Sequence, residues 1–286
     1  MTKNINNGLN YKSAILFDVA RQGVYYEKIK IEDFDFRDQT ALQITGEPYH
    51  TLKKSKFVSA KSSLFEIENL IKNNAVKGRL GEVVFVLGFR SDAFSVYKEK
   101  FENTKKILDL FAKYKPGKLI IQTFSHLCVL SLSELLKLKD ILTLNVCIET
   151  CDDEILSKFS PSNSSFMDRL KACSAMKTFG FDVEIQIAPL LPYSGGEDTA
   201  NAFATKVARS ANRVFIKSYA EINKNEKNNN QMPLAVKLAT EGFGEWLRDE
   251  NVEQELIEAI TNQDSSLLER PTVYQGGNKQ LSLFVA

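Results

Sequence analysis

The sequence predicts an α/β protein, built either as a wound parallel sheet or as an incomplete (β/α) barrel. Segments of strand length alternate with helical segments from about residue 40, and the later strands are rich in Val, Ile and Leu, as is typical of parallel strands buried on both faces. The predicted strands are 42–45, 83–87, 119–123, 144–149, 183–190 and 214–217. The predicted helices between them are 64–74, 96–114, 131–139, 165–179 and 198–209. In either architecture we expect chemistry at the carboxyl ends of the strands.

Composition and periodicity divide the chain into four parts. These are an N-terminal segment (1–39), the strand–helix domain (40–218), a small helical extension (219–262) and a flexible tail (263–286). The extension contains the polar run 223–230, predicted to be an exposed loop, and two helices at 233–248 and 252–261. The tail lacks periodicity and carries the pair Gly276-Gly277, so we expect it to be flexible.

Charge and composition exclude several classes of protein. The 37 Lys and Arg residues nearly balance the 36 Asp and Glu residues, so the chain is not a strongly basic nucleic-acid binder, although a local basic patch stays open. No run of about 18 apolar residues is present, and we expect no membrane partner. Four cysteines in 286 residues do not form a disulfide scaffold. The predicted location is the cytoplasm.

Four segments of the strand–helix domain resemble motifs of the spore photoproduct lyase branch of the radical SAM superfamily. They are residues 87–94, 121–125, 146–153 and 187–192, and their order and spacing are more specific than any one of them alone. The resemblance covers about residues 40–217. It implies a partial (β/α)6 barrel of radical SAM type, with the helical extension and flexible tail added at its C-terminal end.

The resemblance fails at the residues on which the chemistry of that family depends. Radical SAM enzymes hold a [4Fe–4S] cluster with three cysteines in a CxxxCxxC motif after the first strand, and the cluster binds S-adenosylmethionine. Aligned on residues 48–60, the three cluster positions are Leu52, Lys56 and Ser59. None of these side chains is a thiolate, so we expect no iron–sulfur cluster, no other metal and no catalytic residues. The barrel is predicted to be a pseudoenzyme.

Glu149 and Arg169 match positions near which the family contacts its nucleoside cofactor. The resemblance therefore makes them possible cofactor-binding residues, whereas the alternative is an ion pair that joins a strand end to the next helix. The four cysteines are expected to be structural, because unpaired cysteine is among the most buried residue types. His50 and His126 lie in loops at the predicted active-site end, where surface or structural roles are commoner than catalysis.

The last residues carry a recognition peptide. Gln280, Leu281, Leu283 and Phe284, with a variable residue between the two leucines, fit the consensus of peptides that bind the bacterial DNA sliding clamp. Leu283 and Phe284 are the expected anchors in an apolar pocket, and Gln280 supplies an amide at its mouth. The alternative is a terminal strand that adds to the barrel edge. Clamp binding places the protein in the bacterial cytoplasm at the nucleoid.

These observations favour a DNA replication or repair accessory protein that is tethered to the clamp, with DNA or a translesion polymerase as a further partner. One interpretation of the lysine-rich segment 53–56 is a site that binds phosphates, and the equal alternative is a solvated loop. The alternative is a lyase-type DNA repair enzyme, similar to spore photoproduct lyase, that retains S-adenosylmethionine or nucleotide chemistry. A third hypothesis is a metabolic α/β protein whose tail matches the clamp motif by accident.

Overall fold

The computed structural model describes residues 13–17, 55–58, 64–78, 80–88, 92–94, 96, 98–160, 164–193, 197–218, 233–249 and 251–268. The strands are β1 (Ser13–Phe17), β2 (Ser55–Val58), β3 (Val83–Leu87), β4 (Lys118–Thr123), β5 (Leu142–Cys147), β6 (Asp182–Leu190) and β7 (Arg213–Ser218). They form a sheet in the order β2-β1-β3-β4-β5-β6-β7, and every neighbouring pair is parallel.

Helices connect these strands, as parallel pairing requires. They are α1 (Leu64–Val76), α2 (Lys98–Lys113), α3 (Leu132–Leu136), α4 (Asp153–Phe159), α5 (Phe166–Thr178), α6 (Glu197–Ser210), α7 (Pro233–Thr240) and α8 (Asn251–Asp264). Short 3-10 turns occur at Leu80–Glu82, His126–Ser131, Trp246–Arg248 and Ser265–Leu268. Among the described helices, none combines the length and the apolar composition needed to cross a bilayer.

Two polar side chains, Asp152 and Ser165, determine where α4 and α5 begin. The Asp152 carboxylate accepts hydrogen bonds from the backbone N–H groups of Glu154 (2.9 Å) and Ile155 (3.2 Å). The Ser165 hydroxyl accepts one from Asp168 N at 3.1 Å. Both residues are N-caps, which satisfy backbone donors that have no partner inside the helix. The caps place α4 and α5 directly after the end of β5, beside the candidate site.

The two faces of the sheet differ in chemistry, because alternate residues of a strand point to opposite faces. One face packs against the helices and is apolar, with Leu119, Ile121, Leu144, Val146, Val183, Ile185, Val214 and Ile216 in the main core. The opposite face carries buried polar side chains, which are Gln122, Thr143, Asn145, Glu184 and Gln186. We call this second side the polar face. Buried polar groups are costly unless they are paired, so this face needs an internal hydrogen-bond network or a ligand.

Helix α8 is part of the main body of the protein. Its side chains Val252, Leu256 and Ile260 are buried in the main core cluster. Each such buried aliphatic side chain contributes roughly 1.5–3 kcal/mol. The Glu253 carboxylate also accepts a hydrogen bond from Ser218 N, at the end of β7, at 2.7 Å. The second helix of the extension is therefore anchored to the sheet by both packing and polar contacts.

The predicted strands from 83–87 onward agree with β3 to β7 within two residues at each end. The predicted strand 42–45 lies outside the described residues. The sheet begins earlier than the predicted boundary at residue 40, because β1 lies inside it, between β2 and β3. The strand β1 escaped prediction because its apolar run (14–17) has only four residues, and β2 because Ser55 and Lys56 leave it with two apolar residues.

The single helix predicted for 233–248 is wrong. Helix α7 ends at Thr240, and Gly242 follows with φ of 92°. Its neighbour Phe243 donates a backbone hydrogen bond to Leu238 O at 2.9 Å, which closes the end of the helix. The chain resumes as the short turn Trp246–Arg248. Two glycines, Gly242 and Gly244, explain the break.

Candidate functional site at the carboxyl ends of the strands

The loops that follow β3 to β6 meet at one edge of the sheet, because all these strands run in the same direction. In β/α barrels this edge holds the active site. It contains Asp92, His126, Glu149 and Tyr193, together with Arg169 from α5. We call this edge of the sheet the mouth.

The corner after β3 is built around Gly88 and Asp92. Gly88 has φ of 89°, and a Cβ atom there would lie 2.3 Å from Gln122 O, so only glycine fits. The Asp92 carboxylate accepts hydrogen bonds from Phe94 N (2.8 Å), Thr123 Oγ1 (2.6 Å) and Phe124 N (3.0 Å). These bonds join the ends of β3 and β4. Both oxygens of the Asp92 carboxylate therefore accept hydrogen bonds that stabilise the corner.

Glu149 and Arg169 form a buried ion pair at the end of β5. Arg169 Nη1 lies 2.7 Å from Glu149 Oε2 and donates to Cys147 O at 2.8 Å. Ser160 completes the cluster, since it accepts from Arg169 Nη2 at 2.7 Å and donates to Glu149 Oε1 at 3.1 Å. The exposed fractions of the two charged side chains are 0% and 3%. We call Glu149, Ser160 and Arg169 the carboxyl-end network.

The structure thus contains the ion pair between Glu149 and Arg169, which was the alternative to a cofactor contact in the sequence interpretation. The network joins the end of β5, the loop after α4 and the body of α5, so it fixes the walls of the mouth. Arg169 Nε has no hydrogen-bond partner among the described residues. A role for Glu149 and Arg169 in cofactor binding stays a prediction.

His126 is held by a serine. Its ring Nδ1 lies 2.8 Å from Ser164 Oγ, and its backbone N–H donates to the same oxygen at 3.2 Å. Ser164 precedes α5, so the contact ties the loop after β4 to that helix. This geometry gives His126 a structural function. The other histidine, His50, lies outside the described residues.

The cysteines lie in surroundings that keep their thiols protonated. Burial raises the pKa of Cys128 to about 12 and that of Cys151 to about 11. Burial also raises the pKa of Cys147 and of Cys173 well above the ordinary value. Thiolates bind metals and attack electrophiles, whereas thiols do neither well. Among the described residues, no group of three or more His, Cys, Asp and Glu side chains has the geometry of a metal site.

The polar face below the mouth was not identified from the sequence. Asn145 Nδ2 donates to Glu184 Oε1 at 2.8 Å, and Gln122 Nε2 lies 3.4 Å from both Gln186 Oε1 and Cys147 Sγ. Asn145 Oδ1 has no partner among the described residues. The signal was present, because β5 and β6 alternate polar and apolar residues along 143–147 and 182–186.

A second polar cluster lies at the opposite end of the same face. Lys118, Asp182 and Arg213 are the first residues of β4, β6 and β7. Arg213 donates to both oxygens of Asp182, at 2.6 and 2.8 Å, and Lys118 Nζ lies 3.6 Å from Asp182 Oδ2. Glu184 lies 3.4 Å from Arg213 Nε. We call these four residues the amino-end network.

The C-terminal extension covers part of the mouth. Trp246 Nε1 donates to Leu190 O, at the end of β6, at 3.1 Å, and its ring meets Tyr193 edge-on with centroids 5.2 Å apart. Burial raises the pKa of Tyr193 to about 12. Phe243 meets Phe159 of α4 edge-on at 6.1 Å. The extension therefore lies over the loops that follow β5 and β6.

An iron–sulfur cluster does not fit the three positions that the resemblance aligns with cluster cysteines, which are Leu52, Lys56 and Ser59. Leu52 and Ser59 lie outside the described residues, and their side chains are not thiolates in any conformation. Lys56 lies within β2, where it pairs with Ile15, and not in a loop after the first strand as the resemblance implies. The reason is that the run Ser55–Val58 pairs with β1 as an edge strand. We derive no step through such a cluster.

The residues predicted to bind the clamp, Gln280, Leu281, Leu283 and Phe284, also lie outside the described residues. The same holds for residues 53 and 54 of the lysine-rich segment, whereas residues 55 and 56 lie in β2. Their functions stay predictions from the sequence.

Comparison with known proteins gives matches among solved structures. A single-residue mutant of spore photoproduct lyase aligns with a TM-score of 0.51 at 13% identity, over 88% of this chain and 80% of that chain. A mutant of the same enzyme with bound AdoMet and dinucleoside spore photoproduct aligns with a TM-score of 0.47 at 15% identity, over 76% of this chain and 68% of that chain. No family model matches, and no curated protein matches.

The first of these similarities confirms the predicted fold class, a partial β/α barrel similar to that of the matched structure. At 13% identity it shows the fold alone. The seven parallel strands and the helices on one face agree with it.

Proposed function

We propose that this protein is a DNA replication or repair accessory that binds the sliding clamp through its C-terminal peptide, and that its barrel is a pseudoenzyme. The observation that carries the proposal is the sequence from Gln280 to Phe284. It supplies two adjacent apolar anchors, a third aliphatic residue and an amide in the order that the clamp pocket accepts. Peptides of this kind bind in an extended form, so a terminal tail suits them.

The chemistry of the barrel supports the pseudoenzyme half of the proposal. The three positions that hold the cluster in radical SAM enzymes are Leu52, Lys56 and Ser59 in this chain. At the mouth, Glu149 and Arg169 are paired with each other and with Ser160. The described thiols have raised pKa values. A barrel of this kind is suited to serve as a platform for DNA or for a polymerase.

The binding test compares the intact chain with a Leu283→Ala/Phe284→Ala variant on the purified clamp of the same organism. We expect the intact chain to bind in the micromolar range and the double variant to bind at least about 30-fold more weakly, because both anchors are lost. The matched control is Ser282→Ala/Val285→Ala, which changes the same tail and spares the anchors. Equal binding by the intact chain and the double variant would refute the proposal.

A repair enzyme similar to spore photoproduct lyase is the second candidate, favoured by the fold and by the unpartnered Asn145 Oδ1 on the polar face. The discriminating measurement is iron and sulfide content after anaerobic reconstitution, together with calorimetry of S-adenosylmethionine binding. The pseudoenzyme proposal expects no stoichiometric iron and no cleavage of S-adenosylmethionine. Cluster uptake with reductive cleavage of that cofactor would favour the enzyme instead.

A further inference from the structure

Residues 233–243, which comprise α7 and the turn after it, lie on the mouth but outside the main core. We call them the strap. Leu238 of the strap is buried against Ile155 and Leu191, in a small cluster that is separate from the main core. Phe243 adds a partly buried contact to this cluster. Among the side chains of the strap that the structure describes, Leu238 and Phe243 make its apolar contacts with the loops after β5 and β6.

The polar contacts of the strap are exposed and weak. Glu241 pairs with Lys158 at 3.2 Å, where the side chains are 41% and 53% exposed. Lys237 Nζ donates to Lys158 O and lies 5.1 Å from the centre of the Phe159 ring. Ion pairs at such exposed positions contribute little to stability. These described contacts of the strap differ from those of α8, whose aliphatic side chains are buried in the main core.

The chain between the strap and the main body offers a pivot. Gly244 follows Phe243, and the nearest atom to a Cβ built there is 3.8 Å away, in Arg248. Beyond it, Trp246 packs against the main core and bonds to Leu190 O. A glycine thus separates the strap from this anchor, and the hydrogen bonds that cross it run from Leu247 N to Phe243 O (3.4 Å) and from Arg248 Nε to Gly244 O (3.2 Å).

We propose that the strap opens as a unit about Gly244, while Trp246 and α8 stay in place, and that its opening uncovers the mouth beside β5 and β6. Opening exposes Ile155, Leu191 and Phe159, which form an apolar floor. The strap is therefore a lid that controls access to this floor. This inference concerns the barrel and does not depend on clamp binding.

The test is amide hydrogen exchange on the full chain, read by mass spectrometry in peptides that separate the strap from α8. If the strap is a lid, its amides exchange at least about 10-fold faster than those of α8, because the strap opens while α8 stays protected. Equal exchange in the two segments would overturn the proposal, since the extension would then open as one unit.

Two variants distinguish a lid from simple fraying of a short helix. Phe159→Ala changes the floor and not the strap, and we expect it to raise strap exchange about 5-fold or more with no effect on α8. The matched control is Phe179→Ala, at a site that is 48% exposed on the C-terminal end of α5, and it leaves strap exchange unchanged. If Phe159→Ala leaves the strap unaffected, or accelerates α8 equally, the strap is not a lid.

Discussion

Two charged networks lie at opposite ends of the same sheet, and they differ in burial. In the carboxyl-end network the paired side chains of Arg169 and Glu149 are 0% and 3% exposed. In the amino-end network those of Arg213 and Asp182 are 16% and 31% exposed. The charge types are the same, but water reaches only one of them. We therefore expect burial, and not charge, to determine how much each ion pair contributes to the free energy of unfolding.

The comparison also bears on function. In a β/α barrel the carboxyl end usually holds the reactive groups, and the amino end serves stability. In this protein the polar groups of the mouth are used to join β5, α4 and α5 to each other. Both ends of the sheet thus contain networks that join neighbouring elements of the fold to each other.

The largest effect is expected from Arg169→Met. The change leaves the Glu149 carboxylate buried with Ser160 as its remaining hydrogen-bond partner in the network. Loss of one partner of a buried ion pair costs about 3–5 kcal/mol of the free energy of unfolding. Equilibrium unfolding in urea measures it.

The double variant Glu149→Gln/Arg169→Met is the control for that experiment, because it removes both charges. We expect it to be more stable than Arg169→Met alone, since no unpaired charge stays buried. A cost below about 1 kcal/mol for the single variant would show that the mouth is open to water, contrary to the burial described above.

A smaller effect is expected from Asp182→Asn, about 1–3 kcal/mol at neutral pH, because Arg213 loses a charged double acceptor. Burial by itself raises the pKa of Asp182, but the hydrogen bonds and charge of Arg213 outweigh it, so the pKa falls below the ordinary value of 3.8. A carboxyl group whose pKa is lower in the folded state stabilises the protein above its unfolded pKa. Unfolding at several pH values measures the contribution.

The lowered pKa of Asp182 predicts how its contribution to the free energy of unfolding changes with pH. The stability difference between the wild-type protein and Asp182→Asn stays constant above about pH 5 and shrinks as the pH falls through the lowered pKa of the folded state. The same difference at pH 3 and pH 7 would mean that the ionised carboxylate of Asp182 is not what stabilises the amino-end network.

The smallest expected effect is a difference in how the two networks respond to ionic strength. At about 1 M NaCl the Debye length falls to about 3 Å, which screens partly exposed charges. We expect the cost of Asp182→Asn to fall by a measurable fraction, whereas the cost of Arg169→Met stays unchanged. Urea unfolding of both variants at low and high salt provides the measurement. Equal salt dependence of the two costs would contradict the difference in burial.

The sequence was sufficient for the strands from β3 onward, because each contains three or more of Val, Ile, Leu and Phe within five to nine residues. It was also sufficient to bring Glu149 and Arg169 together, through their places at a strand end and on the next helix. It did not decide between an ion pair and a cofactor contact, since that choice depends on Ser160 and on burial, neither of which a sequence pattern reveals.

Other features depended on tertiary context. The five residues of β1 become a strand inside the sheet only because β2 and β3 pair with them. The polar face needed the register of β4, β5 and β6, although its alternation was visible in the sequence. The break after α7 was readable from Gly242 and Gly244, whereas the position of the strap over the mouth was not.

The proposed function depends most on the C-terminal peptide, and calorimetry with the purified clamp tests that peptide most directly. A synthetic peptide of residues 274–286 and the intact chain are titrated separately. If Leu283 and Phe284 carry the interaction, the two dissociation constants agree within about 10-fold. If the peptide does not bind, or if the chain binds equally well without these two side chains, the clamp tether is contradicted.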